Sequence, residues 1–185
     1  MEEALELVEA LSEEIEEELD ERIFATKGET LEQIVGYYLQ MRGATLAVAE
    51  SCTGGMLASR ITSVPGSSRY FLGGAITYAD ELKTSFANVP PKLIEKHGAV
   101  SKEVATAMAE GIRGECDATY GMAITGIAGP TGGTEEKPVG LVYIALADGT
   151  KKTEVLERKF IGADRERIRQ FSTQAALDLL RRKLM

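Results

Sequence analysis

Apolar residues recur every three or four positions along the first twenty residues of the chain, and glutamates occupy most of the positions between them. This spacing predicts an acidic amphipathic helix over residues 2–21, with no chemistry of its own. The apolar side consists of Leu5, Val8, Leu11, Ile15 and Leu19. Exposure of this stripe would favour self-association, so a homo-oligomer is one expectation. We interpret residues 1–28 as an N-terminal extension, in which Arg22–Ala25 is a candidate short strand.

From residue 29 onward, short apolar runs alternate with amphipathic segments. The runs predict strands near residues 46–50, 73–78, 118–125, 139–147 and 153–160. Between them, helical spacing covers about 30–41, 56–64, 81–86, 91–96 and 102–113, and a last helix follows Asp164. Because strands and helices alternate and then give way to a hairpin at Asp148-Gly149, we expect an α/β domain over residues 29–185. The expected architecture is a three-layer α/β/α fold with a mixed, mostly parallel sheet.

Several polar residues occupy positions typical of helix caps. Thr30 and Gln33 fit a capping box, and Asp80, Ser101 and Asp164 each precede a helical segment. In the last helix, the predicted buried stripe consists of Ile168, Phe171, Ala175, Leu179 and Leu180.

Composition limits the possible functions. The formal net charge of −8 argues against broad binding to nucleic acid or to anionic membranes. Two cysteines without a CxxC pair, together with one histidine, His97, give neither a disulfide framework nor a metal site. We assign no catalytic role to His97. No run approaches the roughly 20 apolar residues that span a bilayer, and no signal peptide is recognisable, so we expect a cytoplasmic location.

The first predicted strand leads into a polar turn, Glu50-Ser-Cys-Thr-Gly-Gly55. Ser51 would then lie at the carboxyl end of a strand, where open α/β sheets place their ligands, beside backbone N–H groups that begin the next helix. Gly54 and Gly55 leave room for a substrate atom. A serine hydroxyl beside the backbone N–H groups of residues 53–55 would supply two parts of an acyl-transfer site, the nucleophile and the donors that bind the oxyanion. Alternatively, Ser51 or Thr53 simply caps the helix.

Tyr78 and Lys83 border the turn after the second strand, so both could converge on Ser51. A lysine can replace histidine as the base for a serine nucleophile. The alternative is that Tyr78 fills the core and Lys83 is solvated.

A glycine-rich loop, Gly126–Gly133, follows the third strand. Such loops either wrap a ligand or are mobile. The loop lacks the Gly-Lys-Ser/Thr ending of a Walker motif, and prolines exclude a GxGxxG helix start, so ATP and dinucleotides are poorly supported as ligands. Arg165 and Arg169, near the start of the last helix, either bind a phosphate or form a solvated face.

Three segments together resemble the CinA C-terminal domain family, which contains nicotinamide mononucleotide deamidases. They are Ala49–Gly55, Thr77-Tyr78 with Lys83, and Thr125–Gly133. His97–Ser101 and Gly162–Arg165 are similar to the family as well, and the resemblance extends over about residues 30–185.

The resemblance implies hydrolysis of the carboxamide of nicotinamide mononucleotide to nicotinate mononucleotide and ammonia. We expect no cofactor and no metal. The resemblance also implies that Ser51 is the nucleophile and that Tyr78 and Lys83 assist it. The alternative is a non-catalytic domain that senses a nucleotide or binds a partner. The expected substrate-binding residues are Glu50, Cys52, Thr53, Gly54, Gly55, Thr125, Gly126, Gly129, Thr131, Gly132 and Arg165.

Overall fold

The computed structural model of the chain describes residues 2–19 and 22–185. The helices are α1 (Glu2–Leu19), α2 (Leu31–Met41), α3 (Met56–Thr62), α4 (Asp80–Ala87), α5 (Pro91–His97), α6 (Lys102–Glu115) and α7 (Arg165–Leu184). The strands are β1 (Leu46–Glu50), β2 (Phe71–Ile76), β3 (Tyr120–Gly126), β4 (Leu141–Ala147) and β5 (Glu154–Lys159). The predicted end of the first helix, at residues 20 and 21, lies outside the described residues. No helix in the described ranges is long and apolar enough to cross a membrane.

The five strands form one sheet in the order β2-β1-β3-β4-β5. Strand β1 is parallel to both of its neighbours, β2 and β3, whereas β4 is antiparallel to β3 and to β5. Four strands therefore run in one direction and β4 in the other, which confirms the expected mixed, mostly parallel sheet.

The core lies in two layers, one on each face of the sheet. Alternate residues of β1 show this division, because Val48 packs with α2, α3 and α7 while Ala47 packs with α6. All five residues of β1 are buried, as expected for a central strand covered on both faces. The three-layer α/β/α architecture is thereby confirmed.

Local signals located most helix starts correctly. The side chains of Ser101 and Asp164 accept hydrogen bonds from the N–H groups of Val104 and Arg167, at 3.3 and 2.8 Å. The Gln33 carboxamide accepts from the Thr30 N–H at 2.8 Å, as a capping box requires. The prediction for Asp80 was wrong, since Ala79 is the cap residue and Asp80 is the first residue of α4.

Two further predictions also failed. Residues 22–25 form no strand, and residues 23–25 have no regular secondary structure. In α7, Ile168 and Leu180 are buried as predicted, but the side of the helix that carries Phe171, Ala175 and Leu179 is only partly covered. The core face of α7 instead includes Ser172 and Thr173, because the Ser172 hydroxyl bonds to the Ile168 carbonyl at 2.6 Å and so needs no water.

Candidate active site

A surface cleft of about 350 Å³ lies at the carboxyl ends of the three parallel strands. Ser51 follows β1, Tyr78 follows β2 by two residues, and Thr125-Gly126 ends β3. Because β2 and β3 flank β1 on opposite sides, the chain leaves β1 at a switch point, where open α/β sheets form a crevice. The topology thus brings together residues that are far apart in the sequence.

Ser51 lines this cleft with only 8% of its surface exposed. Its backbone is fixed on both sides, because its N–H donates to the Ile124 carbonyl at 2.9 Å and its carbonyl accepts from the Gly54 N–H at 3.1 Å. The position of the Ser51 side chain is therefore set by β3 and by the turn that follows β1.

Glu50 has a structural role at the start of α3. Its buried carboxylate accepts hydrogen bonds from the N–H groups of Gly55, Leu57 and Ala58 at 3.1, 3.0 and 2.8 Å. A carboxylate at this end of a helix satisfies N–H groups that have no partner within the helix and opposes the positive end of its dipole. Glu50 does not line the cleft.

The hypothesis that the N–H groups of Gly54 and Gly55 are free to bind an oxyanion was wrong. The Gly54 N–H is occupied by the Ser51 carbonyl, and the Gly55 N–H by the Glu50 carboxylate. The two glycines instead shape the turn, since both have positive φ angles, of 59° and 93°. At Gly55, a Cβ would also lie 3.2 Å from the Ile76 Cδ1.

Lys83 is buried, with 1% of its surface exposed, yet it lines the cleft. Its ammonium group donates to the Asp80 Oδ1 at 3.0 Å and to the Tyr78 carbonyl at 3.3 Å. A buried lysine requires such partners, because an unpaired charge in this position would be very costly. The Asp80 side chain is 53% exposed and also borders the cleft. The Lys83–Asp80 ion pair therefore has one buried partner and one partner that is in contact with solvent.

Tyr78 and Arg165 meet at the mouth of the cleft. The Arg165 guanidinium donates to the Tyr78 hydroxyl at 3.1 Å and to the Gly129 carbonyl at 2.7 Å. Arg165 thereby joins the turn after β2 to the glycine-rich loop after β3. Arg169, one turn further along α7, donates instead to the Thr53 carbonyl at 2.8 Å and does not line the cleft.

The segment between α5 and α6 closes another side of the cleft. Ala99 and Val100 line it, and the Ala99 carbonyl accepts a hydrogen bond from the Thr125 hydroxyl at 2.9 Å. Lys137, which follows the glycine-rich loop and precedes β4, donates to the carbonyls of His97 and Val100 at 2.7 and 2.9 Å. The chain that leaves the loop is therefore bonded to this segment.

Cys52 adjoins Ser51 and also lines the cleft, but its chemistry differs from that of a reactive thiol. Burial, reinforced by the Glu50 carboxylate, raises the pKa of the Cys52 thiol to about 12. Because the thiolate is the nucleophilic form, Cys52 is unreactive near neutral pH.

The cleft therefore gathers most, though not all, of the expected site residues. Those that line it are Ser51, Cys52, Tyr78, Lys83, Thr125, Gly126, Gly129, Thr131, Gly132 and Arg165. Those that lie outside it are Glu50, Thr53, Gly54 and Gly55.

Sequence reasoning missed five residues that line the cleft, namely Asp80, Ala99, Val100, Ile127 and Ala128. Asp80 had a usable signal, because an acid three residues before a lysine on a helix is placed to pair with it. The other four lie in segments that the sequence analysis had singled out, the glycine-rich loop and the His97–Ser101 segment, but none of them was named individually.

The cleft thus combines a fixed serine hydroxyl, a buried amine, a phenol and a guanidinium. This set suits nucleophilic attack on an acyl group in an anionic substrate. The described residues contain no group of three or more histidine, cysteine or acidic side chains arranged to hold a metal ion.

Residues 28–184 match the family model of the CinA C-terminal domain. The chain is 61% identical over all 185 residues to a CinA-like protein of Koribacter versatilis and covers 44% of that protein. It is 52% identical over 166 residues to a CinA-like protein of Solibacter usitatus and covers 39% of that protein. It therefore spans less than half the length of these relatives.

Solved structures show the same fold. The competence/damage inducible protein CihA of Agrobacterium tumefaciens is 33% identical, with a TM-score of 0.79 over 84% of this chain and 96% of that one. The competence damage-inducible protein A (ComA) of Klebsiella pneumoniae is 32% identical, with a TM-score of 0.79 over 83% and 94%. The chain belongs to the CinA C-terminal domain family.

Proposed function

We propose that this domain is an amidohydrolase that converts nicotinamide mononucleotide to nicotinate mononucleotide and ammonia, with Ser51 as the nucleophile. The observation that carries the proposal is the presence of Ser51 and the buried, oriented amine of Lys83 in one cleft. The alternative in which Lys83 is merely solvated does not fit its burial. Tyr78 is 58% exposed at the cleft mouth, so it does not serve as core filling either.

Lys83 acts after its ammonium group has released a proton to solvent. In the first half of the reaction, the Ser51 hydroxyl oxygen attacks the carboxamide carbon while its proton passes to the resulting Lys83 amine. The C–N bond of the tetrahedral adduct then breaks, and ammonia leaves with the proton from Lys83. An ester between nicotinate mononucleotide and Ser51 remains. In this turn, the backbone N–H group of Cys52 is the candidate for binding the oxyanion, since Thr53 does not line the cleft and the N–H groups of Gly54 and Gly55 are occupied.

In the second half, water attacks the ester, Lys83 accepts a proton from the water, and the Ser51 oxygen leaves and takes that proton back. Nicotinate mononucleotide is released as the acid. Asp80 and the Tyr78 carbonyl orient the amine at the wall of the cleft, which limits the positions from which it exchanges protons.

The substrate phosphate fits the cationic mouth of the cleft. Arg165 is exposed there and lies next to the N-terminal end of α7, where the helix dipole also favours an anion. Gly129, Thr131 and Gly132 of the glycine-rich loop also line the cleft, and Arg165 is bonded to the Gly129 carbonyl.

The test is ammonia release from nicotinamide mononucleotide by the purified chain, with the nucleotide product followed by chromatography. Ser51→Ala should abolish release, whereas Ser59→Ala, at an exposed position on α3, should not change it. Cys52→Ala should remain active, because the protonated thiol takes no part.

Full activity of Ser51→Ala would contradict the assignment of the nucleophile. Binding of the mononucleotide without any release of ammonia by the unaltered chain would overturn the enzymatic proposal. It would favour a domain that senses the nucleotide.

A further inference from the structure

The segment between α5 and α6 forms one side of the cleft without regular secondary structure. Residues 98–101 belong to no helix or strand, and Ala99 and Val100 among them line the cleft. Such a segment has no ladder of backbone hydrogen bonds to fix its shape, so its carbonyl groups need other donors. We call residues 97–101 the wall segment.

Side chains supply those donors. The carbonyls of residues 97–100 are four in succession, and each accepts a hydrogen bond from a side chain. The Lys137 ammonium donates to the first and the last of them at 2.7 and 2.9 Å. The Ser101 hydroxyl donates to the second at 2.9 Å, and the Thr125 hydroxyl donates to the third, also at 2.9 Å. Three side chains therefore hold the backbone of the wall segment, and Lys137 makes two of the four bonds.

Lys137 is itself held in position. Its N–H donates to the Thr134 hydroxyl at 3.0 Å, and its carbonyl accepts from the Thr134 N–H at 2.9 Å. On the other side, a Cβ at Gly98 would lie only 3.0 Å from the Lys137 Nζ, so the glycine lets the ammonium group approach the backbone closely. The ammonium group therefore joins residues 134–137 to the wall segment.

The charge of Lys137 strengthens these contacts. His97 is the last residue of α5, so its carbonyl lies at the negative end of the helix dipole, where a cation is favoured. A hydrogen bond from an ammonium group is also stronger than one from a neutral hydroxyl. Of the three side chains, Lys137 is thus the one whose loss would release most of the wall segment.

Lys137 does not line the cleft, so it acts on a substrate only through the wall segment. We propose that Lys137 is a positioning residue, which keeps the wall segment in the arrangement that receives the substrate. The substrate is nicotinamide mononucleotide, so this inference rests on the proposed function.

The expected effect of losing Lys137 falls on binding. Without this side chain, the wall segment would occupy the receptive arrangement for only part of the time, and the apparent affinity for substrate falls by the same fraction. Bound substrate restores the arrangement, so the chemical step at Ser51 is little affected. A role in stability alone would instead lower the melting temperature without raising KM.

The first test separates KM from kcat in the ammonia assay. Lys137→Met should raise KM about tenfold, as expected if the wall segment is in place for about a tenth of the time, and should change kcat less than about twofold. Lys137→Arg keeps a cation that can donate to both carbonyls, so it should restore most of the affinity. Lys96→Met is the matched control, because it removes an exposed cation from the same end of α5 and none of these bonds. It should leave both constants unchanged.

The second test measures the wall segment without substrate. Nitrogen-15 NMR relaxation should show that the N–H groups of Ala99 and Val100 become mobile in Lys137→Met. Their order parameters should fall from about 0.85 toward about 0.6, or exchange on the microsecond to millisecond timescale should appear. Lys96→Met should match the unaltered chain. Circular dichroism checks that each variant is folded, and Lys137→Gln, which also removes the charge, replaces Lys137→Met if the latter does not fold.

An unchanged KM in Lys137→Met, or a lower kcat at unchanged KM, would overturn the inference while the proposed function stands. If the unaltered chain releases no ammonia, the proposed function fails instead, and calorimetric titration with the mononucleotide takes the place of KM. Binding that is about tenfold weaker in Lys137→Met would then support the role of Lys137. Equal binding, or an unchanged mobility of the wall segment, would overturn it. If the mononucleotide does not bind at all, the relaxation measurement alone decides.

Discussion

The role of Glu50 can be tested by replacing it with glutamine. The carboxylate accepts from three backbone N–H groups, with the Oε2 atom receiving those of Gly55 and Leu57 and the Oε1 atom receiving that of Ala58. A glutamine amide can supply one oxygen in the Oε2 position, but its NH2 group would then face the Ala58 N–H. One donor at the start of α3 would lose its partner, and the negative charge at that helix end would disappear.

The expected loss follows from these contacts. An unsatisfied, partly buried N–H costs about 1–3 kcal/mol, and loss of a favourable charge at a helix end costs about 0.3–1 kcal/mol. Together they predict that the free energy of unfolding falls by about 3 kcal/mol, which corresponds to a melting temperature about 6–12 °C lower for a domain of this size.

Thermal unfolding followed by circular dichroism would measure this change, and Glu95→Gln, at an exposed position on α5, is the matched control. Below its melting temperature the Glu50→Gln protein should retain a KM for nicotinamide mononucleotide close to that of the unaltered chain, since Glu50 does not line the cleft. A raised KM with an unchanged melting temperature would refute the structural role and restore Glu50 as a substrate ligand.

Three further predictions concern the cleft and the β4–β5 hairpin. Lys83→Met should lower kcat by about 10²–10⁴-fold in the ammonia assay, whereas Lys92→Met, at an exposed position on α5, should leave kcat unchanged. Full activity of the Lys83→Met protein would exclude Lys83 as the base. Arg165→Met should raise KM by about 10–100-fold through loss of a charged hydrogen bond to the phosphate. Arg167→Met, at an exposed position that does not line the cleft, should leave KM unchanged. The pKa of Asp148 lies well below its usual range, because its carboxylate accepts hydrogen bonds from the N–H groups of Thr150 and Lys151 and pairs with the Lys183 ammonium. Asp148 therefore stabilises the fold above a pH of about 4. This stabilisation is lost as the pH falls toward the pKa of Asp148 in the folded protein. Asp148→Asn should therefore unfold more easily than the unaltered chain at pH 6 in urea, with the difference shrinking below pH 4; a constant difference across that range would contradict the assignment.

The sequence predicted the sheet and its surrounding helices because their signals are local. Buried strands appear as short apolar runs, and Ser101 and Asp164 precede their helices in the pattern of a side-chain cap. The position of Ser51 after a central parallel strand could be inferred in the same way, since strand ends and glycine turns are visible in the chain.

Other features depend on contacts between distant segments and had no local signal. The inner side of α7 was misplaced because Ser172 and Thr173 are buried there with hydroxyls bonded to their own helix, which a hydrophobic pattern does not register. The N–H groups after Ser51 were expected to be free, but the Glu50 carboxylate reaches forward along the turn to occupy one of them. Ala99 and Val100 reached the cleft only through the folding of the segment between α5 and α6.

The most direct test of the account is the detection of an acyl group on Ser51. The purified chain would be mixed with nicotinamide mononucleotide, quenched in acid within the first turnover, and examined by intact-protein and peptide mass spectrometry. The account predicts a transient adduct of nicotinate mononucleotide joined as an ester to the peptide that contains Ser51, with none in Ser51→Ala. Steady release of ammonia by the Ser51→Ala protein, or an adduct on any other residue, would contradict it.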